Sequence, residues 1–573
     1  MHCATTTVLP SPRPSAPAPF MPAEVAADVR HIKARKSVPG SLPPWFLKAA
    51  ANVLAPALSA QFNAWVRVGQ LADADALFII NLLPKPGAQA GSCDSLRGIA
   101  VGTLAVKLFA MILERRLSDW AEANGSRAAG QFGFRRRRST AQAALALRTL
   151  QNQHRSDGQQ LWACFVDFKK AYDTVPRQRL WDQLAARGLG SSWLRVVQAL
   201  CANVPMSVRT ADGLSPCFQP AWRQAGLPLS PTLFGLYIDD FEAEVLAAAR
   251  RGKLLDLPAL AGSYSWVHPL VYADDMVLLA TSAAWLQRQL GMLQQYCQRW
   301  GLTVNTVKTE LLLLSGERTQ QAAVRTAERA RLSFGGASLA VVPSFKYLGI
   351  TFHSSCCRAG AAAPSRVAAA RAAMHSCRAR SAALGIEAAP VQLQLFSTMV
   401  DSVLSYGAEV WGMQLAAKAA AWQHRLCSGH APPRQPAAAS RCAARHAQRG
   451  CAGRMRRALW LRWVMRAARL WNHALAADQG SLLRQTVTAS AALALAPGSR
   501  RLAQRTICSA GLGSYVPIVV ELQHGHSGTG GGGVTVGAVQ VGWCTRGDGT
   551  AGAAQTAHAC ALCRQCCTMP AAQ

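Results

Sequence analysis

Leu270-Val271-Tyr272-Ala273-Asp274-Asp275-Met276-Val277-Leu278-Leu279 sets two apolar runs against a pair of adjacent carboxylates. Aliphatic and β-branched residues on both sides of a tight polar centre predict two short buried strands joined by a turn that carries the acids. Two like charges held side by side away from water are costly unless a cation neutralises them. The pattern therefore implies a hard divalent ion with oxygen ligands, magnesium first and manganese as the alternative. Taken alone, the pair could also be an ordinary exposed turn.

A second stretch, Trp162-Ala163-Cys164-Phe165-Val166-Asp167-Phe168-Lys169-Lys170-Ala171-Tyr172-Asp173, again runs apolar until it meets a carboxylate, at Asp167. Two strands that each deliver an acid to one end of the same sheet would build a site for two metal ions about 3.5–4 Å apart, which clamp the attacking and leaving oxygens in phosphoryl transfer. That is the chemistry of polymerases and nucleases.

The segment from Phe165 to Asp173, followed at a distance by Tyr272-Ala273-Asp274-Asp275, resembles motifs A and C of reverse transcriptases of non-LTR (LINE-like) retrotransposons. The resemblance implies an α+β, right-hand polymerase fold with fingers, palm and thumb. It also implies an RNA-directed DNA polymerase that extends a DNA primer with dNTPs on an RNA template. Asp167, Asp274 and Asp275 would hold two Mg2+ ions, assisted by the backbone carbonyl of Val166. Tyr172 matches the family's aromatic steric gate against ribonucleotides, with an ordinary core aromatic as the alternative.

Further motifs follow the family's order. Leu77 to Gly87 predicts a strand stopped by Pro and Gly, with Lys85 displayed on the turn, and Arg97 offers a second cation ahead of a helix from about Thr103 to Trp120. The resemblance gives Lys85 and Arg97 the triphosphate, a task that a compact ammonium and a forked guanidinium suit; solvated surface cations are the plainer reading. Gln131-Phe132-Gly133-Phe134-Arg135-Arg136-Arg137-Arg138-Ser139-Thr140 places an arginine run before a Ser-Thr helix cap, and its likeness to the family assigns Arg135 and Arg138 to template backbone. Gly226 and Pro228 lie in a motif B-like loop that would back the nascent base pair, with Ala225 as a one-residue insertion relative to the family's Arg-Gln-Gly. Lys308 corresponds to the motif D lysine that protonates pyrophosphate, and Tyr347 and Gly349 to the primer-supporting hairpin of motif E. Asp239, Asp240, Glu242 and Glu244 read as a solvated helix face.

Charge agrees with a polyanionic partner: 61 Lys and Arg stand against 29 Asp and Glu, for a net charge of +32, although arginine drift in a GC-rich genome gives the same excess. The 18 cysteines have no regular framework, and no apolar run is long enough for a membrane span, so a soluble nuclear or cytoplasmic protein with reduced thiols is expected. The chain divides into a disordered N-terminus (1–28), a pre-fingers segment (29–69), a reverse-transcriptase domain (70–353), a thumb-like helical region (354–475) and a disordered low-complexity tail (476–573). Too few residues precede the pre-fingers segment for the endonuclease domain that intact elements carry, so a truncated copy is expected, with any nuclease supplied by a separate partner. Irregular Cys/His groups around Cys427 and Cys560 only superficially suggest zinc. Two other readings stay open: a catalytically impaired nucleic-acid-binding remnant of such an element, and a group II intron maturase-like protein.

Overall fold

The computed structural model describes residues 18–32, 43–84, 95–169, 171–201, 205–210, 212–218, 228–250, 257–260, 267–354 and 359–411, with short pieces between 466 and 495. In chain order its strands are β1 (Phe78–Pro84), β2 (Leu96–Val101), β3 (Leu161–Val166), β4 (Met206–Thr210), β5 (Gly213–Leu214), β6 (Leu270–Tyr272), β7 (Asp275–Ala280), β8 (Glu310–Ser315), β9 (Ser333–Phe334), β10 (Ala337–Ser338), β11 (Ala340–Val341), β12 (Ser344–Tyr347) and β13 (Ile350–His353).

The central sheet has the order β11-β8-β3-β7-β6. All six residues of β3 are buried, and successive side chains enter different cores. Trp162, Cys164 and Val166 join the layer under helix Ala283–Trp300, whereas Leu161, Ala163 and Phe165 join the layer under helix Thr140–Ser156. A strand covered on both faces must be apolar at every position, and that explains the unbroken run that ends at Asp167. The second helix starts at the predicted cap: the Ser139 hydroxyl accepts from the Gln142 N–H while the Gln142 side chain accepts from the Ser139 N–H.

A separate four-stranded sheet, β2-β1-β4-β5, pairs β1 antiparallel to β2 and parallel to β4. β12 and β13 form a hairpin whose two turn residues, Leu348 (φ 45°) and Gly349 (φ 78°), are both left-handed, as a tight right-twisting hairpin turn requires. Phe345 of that hairpin stacks on Phe165 with ring centroids 4.0 Å apart.

Both expected disordered ends need correction at their borders. Phe20 is 1% exposed and packs on Phe62 and Phe109, and the helix Pro22–His31 buries Val25 and Val29 while Glu24 and Asp28 pair with Arg115 and Arg116. Apolar side chains at helical spacing won over the Pro/Ala-rich local composition. In the tail, the helix Leu482–Leu495 packs on Thr140–Ser156 and buries Leu482, Leu483 and Val487 for the same reason. Among the described residues no helix is long and apolar enough to cross a membrane.

Candidate active site

Strand register brings the acids together. β3 runs antiparallel to β7 with Val166 opposite Met276, so the next residue of each chain end, Asp167 and Asp275, emerges at the same sheet edge. Tyr272 pairs with Asp275 across β6 and β7, which leaves Ala273 and Asp274 as a two-residue turn. Ala273 sits at φ +61°, a conformation that L-residues adopt only when their surroundings hold them there.

Asp167 is fixed by the loop that enters β8. Its N–H donates to Thr309 Oγ1 (3.2 Å), its carbonyl accepts from the Asn305 N–H (2.7 Å) and its Oδ2 accepts from Asn305 Nδ2 (3.0 Å). The Lys169 N–H donates to the Thr303 carbonyl (2.8 Å), which extends this clasp. Lys308 lies exposed in the same loop, its N–H bonded to the Asn305 carbonyl.

Electrostatics tie the three acids to one another. Burial raises the Asp274 carboxyl and the Asp167 charge adds to it, while the Arg97 guanidinium acts in the opposite direction. Asp275 is exposed, yet crowding by protein atoms, then the charges of Asp274 and Asp167, push it up to about 6. Tyr172 is also raised, by burial and then by the charges of Asp274 and Asp275; its ring packs on Phe234 with centroids 4.8 Å apart. Among the described residues no three or more His, Cys, Asp or Glu side chains gather tightly enough to hold a metal ion by themselves. Three coupled carboxylates at an open edge do suit hard divalent ions that complete their shells with phosphate oxygens and water.

A raised carboxylate binds its proton more tightly in the folded chain than in the unfolded one. Stability is therefore fully present below the ordinary carboxylate range, and part of it is lost as pH rises through about 6 for Asp275. A divalent cation bound at these acids would take the place of that proton. Magnesium should raise Tm at about pH 8 and leave it nearly unchanged at about pH 5, which thermal melts with and without the ion will test.

The remaining predicted residues divide. Arg97 lies exposed on β2, opposite Leu83, and its charge reaches Asp274. Pro228 is half-buried just ahead of the helix Ser230–Ile238. Arg138 is half-buried over the Phe132 ring, 5.4 Å from its centroid. Lys85, Ala225, Gly226 and the Cys/His groups around Cys427 and Cys560 lie outside the described residues.

The expectations for Arg135 and Tyr347 are corrected by the packing. Arg135 is turned inward: its side chain is 7% exposed, forks onto both oxygens of Glu122 and donates to the Ala128 and Gln131 carbonyls, so it holds the protein's own chain. Tyr347 is 2% exposed beside Phe165 and Phe352, and its ring is core. Gly349 serves helix packing as well as the turn, since a Cβ there would come within 2.9 Å of the Tyr406 ring and 3.1 Å of Arg366. Of the four acids read as a solvated face, Asp239 and Glu242 are buried, while Asp240 and Glu244 keep contact with solvent. Asp239 is 6% exposed and bonds Arg127 Nε at 2.8 Å, and Glu242 accepts from the Ala129 and Gly130 N–H groups.

Residues 83–352 match the sequence profile of the family described as Reverse transcriptase (RNA-dependent DNA polymerase). This segment is a non-LTR reverse-transcriptase domain. The chain is 28% identical to a 115 kDa protein in type-1 retrotransposable element R1DM of Drosophila melanogaster, over 57% of this chain and 30% of that protein. It is 25% identical to the retrovirus-related Pol polyprotein from type-1 retrotransposable element R2 of Nasonia vitripennis (48% and 26%). The RNA-directed DNA polymerase from mobile element jockey of Drosophila funebris is 24% identical (51% and 31%). The chain thus spans a third or less of the length of these relatives. All three acids and every strand from β2 to β12 lie within residues 83–352, and β1 and β13 cross the two borders of that segment.

Proposed function

We propose that this chain is an RNA-directed DNA polymerase that adds dNTPs to the 3′-hydroxyl of a DNA primer on an RNA template. The observation that carries the reading is the register that sets Asp167 beside Asp274 and Asp275 at one sheet edge. In this reading the five-stranded sheet is the palm, the four-stranded sheet belongs to the fingers, and the helices from Ala359 to Trp411 form the thumb.

Two magnesium ions bound there would supply Lewis-acid activation of the primer hydroxyl and charge neutralisation on the phosphates. Asp167 and Asp274 are the shared ligands, with Asp275 at the rim and the Val166 carbonyl beside them. Arg97 attracts the triphosphate and Lys85 joins it. Tyr172 lies under the sugar and opposes a 2′-hydroxyl. Lys308, solvent-facing on the loop that holds Asp167, delivers a proton to pyrophosphate. Pro228 and Gly226 back the base pair, and Arg138 lies on the template side.

Primer extension by the purified chain on an RNA template with Mg2+ and dNTPs tests the reading. Extension supports it; tight primer–template binding without extension would leave a nucleic-acid-binding remnant of the element. Asn305→Ala offers a finer check, because it releases the Asp167 carboxylate without removing it. The single-turnover rate should fall about 10- to 100-fold, with a stability loss of only about 1 kcal/mol in a melt.

A further inference from the structure

The chain from Arg127 to Arg135 runs against the outer side of the catalytic turn. The Phe132 N–H donates to the Val271 carbonyl (2.7 Å) and the Val271 N–H to the Gly130 carbonyl (2.8 Å), so this segment flanks β6. At its centre Gln131 is fully buried. Its Oε1 accepts from the Gly133 N–H (2.9 Å) and from the Ala273 N–H (3.1 Å), and its Nε2 points at Asp239 Oδ1 (3.4 Å). The orientation of the amide follows from its neighbours: two donors on one side and a carboxylate on the other admit only one arrangement.

Ala273 directly precedes Asp274 and holds the left-handed conformation noted above, in a residue only 5% exposed. Without Gln131 its N–H would be buried with no acceptor from that side chain, and the strained turn would lose the bond that holds it. Space around the turn is equally restricted, since a Cβ on Gly133 would lie 2.3 Å from the Ala273 nitrogen. Asp239 is in turn gripped by Arg127, with both side chains at most 2% exposed.

We propose that Gln131 is the positioning residue of the catalytic turn, fixing Ala273 and hence the direction in which Asp274 presents its carboxylate. The role rests on the polymerase reading for its meaning, but not for its test. Arg127 and Asp239 set the Gln131 amide, so a chain of buried polar contacts runs from the helix Ser230–Ile238 and its C-terminal neighbour to the metal-binding edge.

The test compares the full chain with Gln131→Leu, which removes both functions of the amide, and Gln131→Glu, which keeps an acceptor oxygen. Three readouts apply: hydrogen exchange of the peptide containing Ala273, Mn2+ binding to the protein–primer–template complex followed by paramagnetic resonance of the free ion, and the kcat and KM for dNTP. In Q131L, exchange should accelerate locally, Mn2+ affinity and kcat should each fall about 10- to 100-fold, and KM should stay within about 2-fold. Q131E should restore most of the local protection. Unchanged exchange and Mn2+ affinity in Q131L would overturn the proposal, as would faster exchange spread evenly over the whole chain in both variants. If the parent chain does not extend primers, the polymerase reading fails, while exchange and Mn2+ binding still decide the role of Gln131.

Discussion

Asp274→Asn is expected to abolish primer extension, lowering the rate about 1000-fold or more, and at the same time to raise the Tm of the metal-free chain. The first effect follows from the loss of a shared anionic ligand in a site whose catalysis is positioning and charge stabilisation. The second follows from the coupling among the acids. Exposed Asp275 is held up at about 6 by the protein atoms crowded around it and then by the charges of Asp274 and Asp167, and Asp274 is itself raised by burial and by Asp167. Neutralising Asp274 removes one of those repulsions while keeping the shape of the side chain, so the apo fold loses strain. The Tm increase produced by magnesium in the parent should shrink in the variant. A variant that lost extension and also lost apo stability would contradict this account, because it would mark Asp274 as a fold-supporting residue rather than one held against its own charge.

The acids at the sheet edge were legible in the sequence because β3 and β7 are covered on both faces. A doubly buried strand is written as an unbroken apolar run, and the first carboxylate after or before it marks where the strand meets solvent. The cap at Ser139 was legible for a local reason, a hydroxyl followed three residues later by an amide. The residues that hold the acids left no such mark. Asn305 and Thr309 meet Asp167 only after the chain has traversed two strands of the sheet and the helix Ala283–Trp300, and Gln131 meets Ala273 at a separation of 142 residues. Nothing local to Gln-Phe-Gly-Phe distinguishes an amide that faces inward from one that faces solvent. Asp239 and Glu242 were misread for a related reason. Residues three apart share a helix face, and four acids in a short span suggest that the face is wet, yet Arg127 and the N–H groups of Ala129 and Gly130 lie against it. Tyr347 was more legible than its assignment. Phe345 and Tyr347 alternate along β12, which predicts a shared inward face, and both do pack on Phe165.

Asp239→Ala should be the most destabilising change in the reverse-transcriptase domain that touches no metal ligand. Arg127 is 1% exposed on its side chain, its Nε is bonded to Asp239, and its two terminal nitrogens have no hydrogen-bond partner. Gly235 is the reason the guanidinium fits, since a Cβ there would lie 2.6 Å from one of those nitrogens. Burial already lowers the Arg127 pKa, with Asp239 the first group that restores it. Removing the carboxylate leaves a buried cation with no partner in hydrogen-bond reach, at a cost of about 3–5 kcal/mol and a Tm lower by roughly 10 °C. Arg127→Met combined with Asp239→Leu removes both charges, and it should recover most of that loss, because an ion pair replaced by apolar side chains of similar volume is close to neutral. The two variants separate stability from alignment. Asp239→Ala should lose both, whereas the double variant should melt near the parent but extend primers more slowly, since its Gln131 amide no longer has a carboxylate to hold it.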